Sequence, residues 1–177
     1  MQKTMQKPMQ NKTTLQKTMV ASAPSARIPV FYRLVFLWLE PVSILTGAVY
    51  AHFLPSVYLA LTHAASAPTT MPVSTAIIMT QLANLYLGLG LLEATVLRST
   101  CDSKVWSSFI MALLVADLGH LYSVRLLGWQ IYWAWSTWNA IDWGNVPFVY
   151  FLAGTRLCFL LGVGFTSKSH SARVKLS

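Results

Sequence analysis

The chain has 177 residues, of which 55% are hydrophobic and only 10% charged, with a formal net charge of +8. Soluble domains carry roughly 25% charged residues, so this balance excludes an ordinary soluble globule and points to a lipid environment. The basic residues flank apolar runs and form no patch interleaved with aromatics on a polar domain, which excludes nucleic acid as a partner.

Residues 1–28 repeat a Met-Gln-Lys theme (MQKTMQKPMQ, then LQKTM) and hold no apolar run long enough for a secretory signal. They read as a solvated, disordered cytosolic tail. No acidic residue precedes Glu40, whereas Lys3, Lys7, Lys12, Lys17, Arg27 and Arg33 do. A mitochondrial presequence is the second reading, weakened by the excess of Lys over Arg and by Pro8, which interrupts any amphipathic helix. The Asn11-Lys12-Thr13 glycosylation triplet falls in this cytosolic tail and is read as chance.

The first predicted span covers about 30–54, long enough to cross a ~30 Å hydrocarbon core at 1.5 Å per residue. Its middle holds Glu40-Pro41. Proline removes a backbone donor there, so the carbonyl it leaves open needs a partner inside the bundle. After a loop without Lys or Arg, a second span is predicted at about 75–97, carrying Gln81, Asn84 and Glu93, with Gly88 and Gly90 permitting close helix approach. Arg98, Asp102 and Lys104 mark a short polar loop in which Asp102 or Ser103 is placed to cap the next helix. The third span, about 105–124, contains Asp117 and His120. The fourth, about 146–165, starts after Asn145-Val146-Pro147 and carries Arg156. Between spans three and four, LLGWQIYWAWSTWNAIDWG holds five of the seven tryptophans and reads as an interfacial or re-entrant loop. Residues 167–177 form a second basic tail.

The predicted fold is therefore all-α, an integral membrane bundle of four transmembrane helices with an aromatic interfacial loop between helices three and four. Both tails and the Arg98/Lys104 loop fall on one side of such a bundle, which puts both ends in the cytosol. The endoplasmic reticulum is the default membrane, with a mitochondrial membrane as the alternative.

Glu40, Glu93, Asp117, His120 and Arg156 then lie in or near hydrocarbon, where an ionised centre costs about 2.5–3.5 kcal/mol. One explanation is mutual satisfaction, for example Arg156 with Asp117 or Glu40. The other is chemistry. Asp117 and His120, three apart, share a helical face, and the carboxylate is placed to hold the imidazole in one tautomer as a general acid/base. Asp117, His120 and Glu40 are the catalytic candidates, and Arg156, Asn84, Gln81 and Glu93 the substrate-binding candidates. Glu93 faces nearly opposite to Gln81 and Asn84 and ranks below Glu40 and Asp117 as a catalytic candidate, because it sits close to the cytosolic end within reach of Arg98 or Lys104. A single metal held by Glu40, Asp117 and His120 is a minor alternative, and no metal or cofactor is expected. Cys101 and Cys158 suggest neither a disulfide framework nor a zinc site, and His52, His63 and His170 read as uninvolved.

The segments LEPVSILTGAVYAHFLP, QLANLYLGLGLLEATVLRST, VWSSFIMALLVADLGHLYSV and WNAIDWGNVPFVYFLAGTRLCFLLGVG resemble a fungal family of small multi-pass membrane proteins classed as a domain of unknown function. The resemblance covers about residues 29–165 and rests on E-P-V-S, E-A-x-V-L-R and A-D-x-G-H-L-Y. Some members stand beside secondary-metabolite genes, so the resemblance implies a lipophilic terpenoid or polyketide intermediate as substrate. The expected function is a membrane-embedded enzyme or biosynthetic factor performing isomerisation or cyclisation, with the bilayer, a hydrophobic small molecule and soluble biosynthetic enzymes as partners. The alternative is a noncatalytic membrane scaffold or small transporter subunit.

Overall fold

The computed structural model describes residues 27–165; residues 1–26 and 166–177, with nearly all of both basic tails, the Asn11 triplet and His170, lie outside them. Among the described residues every regular element is helical. The long helices are α1 (Val30–Phe53), α3 (Val73–Ser99), α4 (Ser103–Ser123, prolonged by a 3-10 turn to Leu127) and α6 (Pro147–Leu160); α2 (Pro55–His63) and α5 (Ala140–Asn145) are shorter. Three helical segments, Val30–Phe53, Val73–Ser99 and Ser103–Leu127, are long and apolar enough to cross a membrane. Their outward faces carry large apolar side chains such as Val42, Leu45, Ile78, Leu85, Val115 and Leu118, all more than 40% exposed. That surface suits lipid rather than water. Hydroxyls on these helices are returned to the helix: Ser43, Thr46, Thr80 and Thr95 each donate to the carbonyl four residues before.

Consecutive long helices run antiparallel. The start of α1, the end of α3, the start of α4 and the end of α6 meet in one aromatic core of Tyr32, Phe36, Leu97, Trp106, Ile110 and Phe159. Tyr32 closes that end by donating to the Val163 carbonyl at 2.8 Å. At the opposite end Ala51, Met79 and Ala83 form a smaller core under Tyr58 and Leu59 of α2.

The consequence of Pro41 is visible in α1. Residues Val35–Leu39 form a π-helical turn immediately before Glu40-Pro41. Proline has no N–H for the carbonyl four residues earlier, which is that of Leu37. Arg98 Nη2 donates to this Leu37 carbonyl from the end of α3, and its guanidinium lies 5.0 Å from the Trp38 ring centroid. Arg98 is thus engaged with α1, and Glu93, expected within its reach, lies elsewhere.

α1 and α3 approach closely at two glycines. A Cβ on Gly90 would stand 3.2 Å from Ile44 Cγ2 and 3.9 Å from the Pro41 carbonyl, and one on Gly47 would stand 3.5 Å from the Tyr86 ring. Gly88 faces open space, so of the two glycines singled out in the sequence only Gly90 serves the contact. Asp102 caps α4 as expected, accepting from the Lys104 amide at 2.8 Å. α6 ends at Leu160 rather than near 165. Gly162 adopts φ +75, Val163 N donates to Cys158 O at 2.9 Å and Gly162 N to Phe159 O at 3.0 Å, the paired bonds that close a helix C-terminus.

The tryptophan-rich segment forms short 3-10 turns, with Trp129, Trp133 and Trp135 each more than 60% exposed. Tyr132 fastens it to the end of α4 by donating to the Leu121 carbonyl at 2.7 Å. Asn139 starts α5 through a capping box with Asp142, and its Nδ2 donates to the Leu61 carbonyl of α2 at 2.7 Å. α2 and α5 are thereby joined across one end of the bundle.

Candidate functional site

Between the aromatic core and the α2/α5 end lies a charged layer, and beyond it a cavity. Arg156, 1% exposed, projects from α6 and donates Nη1 to Asp117 Oδ2 of α4 and Nη2 to Glu40 Oε1 of α1. One guanidinium therefore ties three helices together. Its planar fork suits two carboxylates at once, which an ammonium could not match. The guanidinium carbon stands 5.8 Å from the Phe36 centroid, so the charged layer rests on the aromatic core.

Glu93 completes the layer from α3. It is fully buried, within hydrogen-bonding reach of Glu40, and neither of its oxygens meets a donor among the described residues. Two carboxyl groups in contact hold together only with a proton shared between them, so Glu93 supports Glu40 from behind as a hydrogen-bonding acid. It does not line the cavity, whereas Glu40, Asp117, His120 and Arg156 do.

The cavity has a volume of about 740 Å³. Its walls are mostly apolar, with Ile44, Gly47, Leu89, Leu113, Phe148 and Leu152 among them. At the α2 end, the Tyr58 and Tyr86 hydroxyls lie 3.2 Å apart. Burial, and then the neighbouring Tyr86 hydroxyl, push the Tyr58 phenol well above its ordinary value, so it remains a neutral donor. At the charged end is His120, whose Nε2 is buried without a hydrogen-bond partner among the described residues. Asn145, at the end of α5, lies beside this imidazole.

The sequence candidates divide accordingly. Glu40, Asp117, His120 and Arg156 come together around the cavity. The expected Asp117–His120 hydrogen bond gives way to the Asp117–Arg156 pair, because the guanidinium offers a stronger, charged donor to the same carboxylate. Gln81 and Asn84 are exposed and outside the cavity lining. The buried face of α3 carries Met79, Ala83, Gly90, Glu93 and Leu97, which places Glu93 inside and turns Gln81 and Asn84 out. His52 packs against Phe53 and His63 bonds Ser66, both away from the cavity. Among the described residues no three His, Cys, Asp or Glu side chains converge on a metal position, and Arg156 occupies the space between Glu40 and Asp117. Sequence reasoning missed Gly47, Tyr58, Tyr86, Trp143 and Asn145, all of which line the cavity. Gly47 was accessible to it: it lies seven residues, two turns, beyond Glu40 on the same face of α1.

A family model described as a domain of unknown function, DUF7704, matches residues 25–166. No curated protein and no solved structure matches the chain.

Proposed function

We propose that this chain, which belongs to the DUF7704 family, is a four-span membrane protein that admits a lipophilic molecule to its cavity and rearranges it by proton transfer, as an isomerase or cyclase. The observation that carries this reading is His120 Nε2, an unpartnered ring nitrogen buried at the charged end of an apolar cavity large enough for a small lipophile. Imidazole both gives and takes a proton near neutral pH.

The step balances without a cofactor. An N–H bond of the His120 imidazolium breaks as a C–H bond forms at one carbon of a double bond, leaving neutral imidazole and a cation at the other carbon. Return of a proton from a neighbouring carbon to Nε2 yields the shifted double bond; in a cyclisation a second double bond captures the cation, closing a ring and moving the charge to a further carbon, whose neighbour then loses a proton to Nε2. Glu40 and Asp117 stabilise the positive charge, and Arg156 positions both carboxylates. With both terminal nitrogens committed, Arg156 is a positioning residue rather than the anchor for a substrate anion.

The fourth span is assigned to α6 together with the residues that flank it. Its 14 residues cover about 21 Å, short of a ~30 Å hydrocarbon core, and α5 and residues 161–165 supply the remaining depth. Arg98 and Lys104 then lie at the same end of the bundle as the start of α1 and the end of α6, which supports a cytosolic location for the termini; the endoplasmic reticulum is the proposed membrane. The fungal resemblance suggests a terpenoid or polyketide intermediate, handed over by soluble enzymes.

A second reading, a noncatalytic scaffold or transporter subunit, is favoured by the capture of Arg156 by Glu40 and Asp117, which accounts for three buried charges structurally. Deleting the gene, profiling lipophilic metabolites and complementing with His120→Ala and Asp117→Asn separates the two. The catalytic reading expects a metabolite that accumulates on deletion and is not cleared by His120→Ala. Full rescue by His120→Ala refutes it.

A further inference from the structure

We infer that the cavity selects a positive charge carried on an apolar body, either a lipophilic amine or a substrate that becomes cationic as it reacts. This deepens the reading of the cavity as a ligand site and rests on it.

The charge count at the lining is uneven. Glu40 and Asp117 supply two carboxyl groups and Arg156 one guanidinium, so the lining lacks one cation. Glu40 is 3% exposed, and the group beside it other than Arg156 is the carboxyl of Glu93, not a second cation. An anionic ligand meets no guanidinium that is free at its tip. Both terminal nitrogens of Arg156 are taken, and its Nε, without a partner among the described residues, is buried within the layer. A carboxylate or phosphate would have to displace Glu40 or Asp117 and add negative charge where there is already an excess. A cation instead completes the balance in a desolvated place, where such an interaction is strongest.

The remainder of the cavity fits the same ligand. Tyr50, Tyr58, Tyr86, Trp143 and Phe148 supply aromatic rings to the lining, and ring faces attract cations. Ten residues separate Glu40 from Tyr50, both in the lining of α1, which is about 15 Å of helix and sets the length of the apolar body. The same surplus charge serves the proposed chemistry, because a proton delivered from His120 leaves its positive charge on the substrate beside these carboxylates.

The test compares three probes of one chain length on the purified full chain in neutral detergent near neutral pH: N,N-dimethyldodecylamine, dodecanol and dodecanoate, each titrated while the thermal unfolding midpoint is read. The amine is expected to raise the midpoint saturably, and dodecanol and dodecanoate to leave it nearly unchanged. Ala116→Phe, which fills the cavity from an exposed lining position without touching the charges, abolishes the amine response. Glu40→Gln, which still offers Arg156 an oxygen, weakens it about tenfold. Dodecanoate stabilising as well as the amine, or an amine response that survives Ala116→Phe, overturns the inference.

His120→Ala separates this result from the catalytic one, since it leaves the lining carboxylates in place. Saturable amine binding together with full metabolic rescue by His120→Ala keeps the charge selectivity and removes the catalysis. No amine binding together with loss of product in His120→Ala does the reverse.

Discussion

Replacing Arg156 with leucine withdraws the guanidinium that Glu40 and Asp117 share, and leaves two buried carboxylates without it. Arg156 and Glu40 are 1% and 3% exposed and Asp117 is 9% exposed, so water can reach the abandoned carboxylates only through the cavity they line and replaces the lost donors poorly. Removing one partner of a buried ion pair costs about 3–5 kcal/mol. The upper end applies here, because one substitution breaks two charged hydrogen bonds on two different helices. For a chain of this size the loss corresponds to a fall of roughly 6–20 °C in the unfolding midpoint. Arg156→Lys keeps the charge but not the fork, and should fall between the two, since a compact ammonium cannot present parallel donors to carboxylates on α1 and α4. The triple variant Arg156→Leu, Glu40→Gln, Asp117→Asn carries no uncompensated charge and should recover most of the midpoint. The assay is thermal unfolding of the detergent-solubilised protein followed by tryptophan fluorescence. If Arg156→Leu unfolds within about 2 °C of the wild type, the ion pairs do not hold the bundle and the reasoning fails.

Arg98→Leu should cost about 1.5–3 kcal/mol, because it removes a charged donor from the Leu37 carbonyl, and much less in a Pro41→Ala background, where a backbone N–H is available; additive effects in this double-mutant cycle would contradict the account of the proline. Gly90→Leu, whose Cβ would stand 3.2 Å from Ile44, should destabilise by about 1–3 kcal/mol, while Gly88→Leu, facing open space, stays within about 0.5 kcal/mol; equal unfolding midpoints for the two would refute the close approach. Asn84→Ala and Gln81→Ala, both outside the cavity, should complement a deletion strain fully, and a metabolite defect in either would move the site. The Tyr58 phenol is held neutral, so its contribution to stability is complete below the ordinary phenol value of 10.0 and declines above it as the unfolded chain ionises. Tyr58→Phe should flatten that alkaline loss, read as unfolding midpoint against pH, and an unchanged profile would count against a buried neutral phenol.

The sequence made the charged layer legible in its members and in the pairing of Arg156 with Glu40 and Asp117, but not in the places of His120 and Glu93. Glu40, Asp117 and Arg156 stand out because apolar helices seldom tolerate charge, and mutual satisfaction with Arg156 followed from counting signs. The Asp117–His120 bond did not form, because spacing on one helix says nothing about a stronger donor arriving from another. Glu93 does lie on the face opposite Gln81 and Asn84; what their spacing left open is which face turns inward. Met79, Ala83, Tyr86, Gly90, Glu93 and Leu97 recur at steps of four and three, the seam of a helix packed in a bundle, with small residues where α1 comes close. On α4 the same steps pick out Trp106, Ile110, Leu113, Asp117, His120 and Val124. Reading both seams puts Glu93 and Asp117 inside together and leaves Gln81 and Asn84 outside. The ends were less accessible: the halt at Leu160 depends on the left-handed turn at Gly162, and the role of Tyr58 depends on α2 folding back toward Tyr86, which periodicity alone does not encode.

The charged layer also explains why a cavity can persist in so small a bundle. Apolar helices with small residues on their seams tend to close on one another until no void is left. Here α1 and α3 do close, at Gly47 and Gly90. α4 and α6 meet α1 directly in the aromatic core, but toward the cavity they are joined to it through Asp117, Arg156 and Glu40, whose long, hydrogen-bonded reach sets a separation that direct apolar contact would shorten. The gap continues past this spacer toward α2 and α5, where the Asn139–Leu61 bond joins the two connecting segments over its far end. The ion pairs thus act as a strut as well as a source of polarity. Substitutions that neutralise all three charges together are therefore expected to preserve stability while reducing the space available to a ligand, a separation of folding from binding that simple loss of an ion pair does not produce.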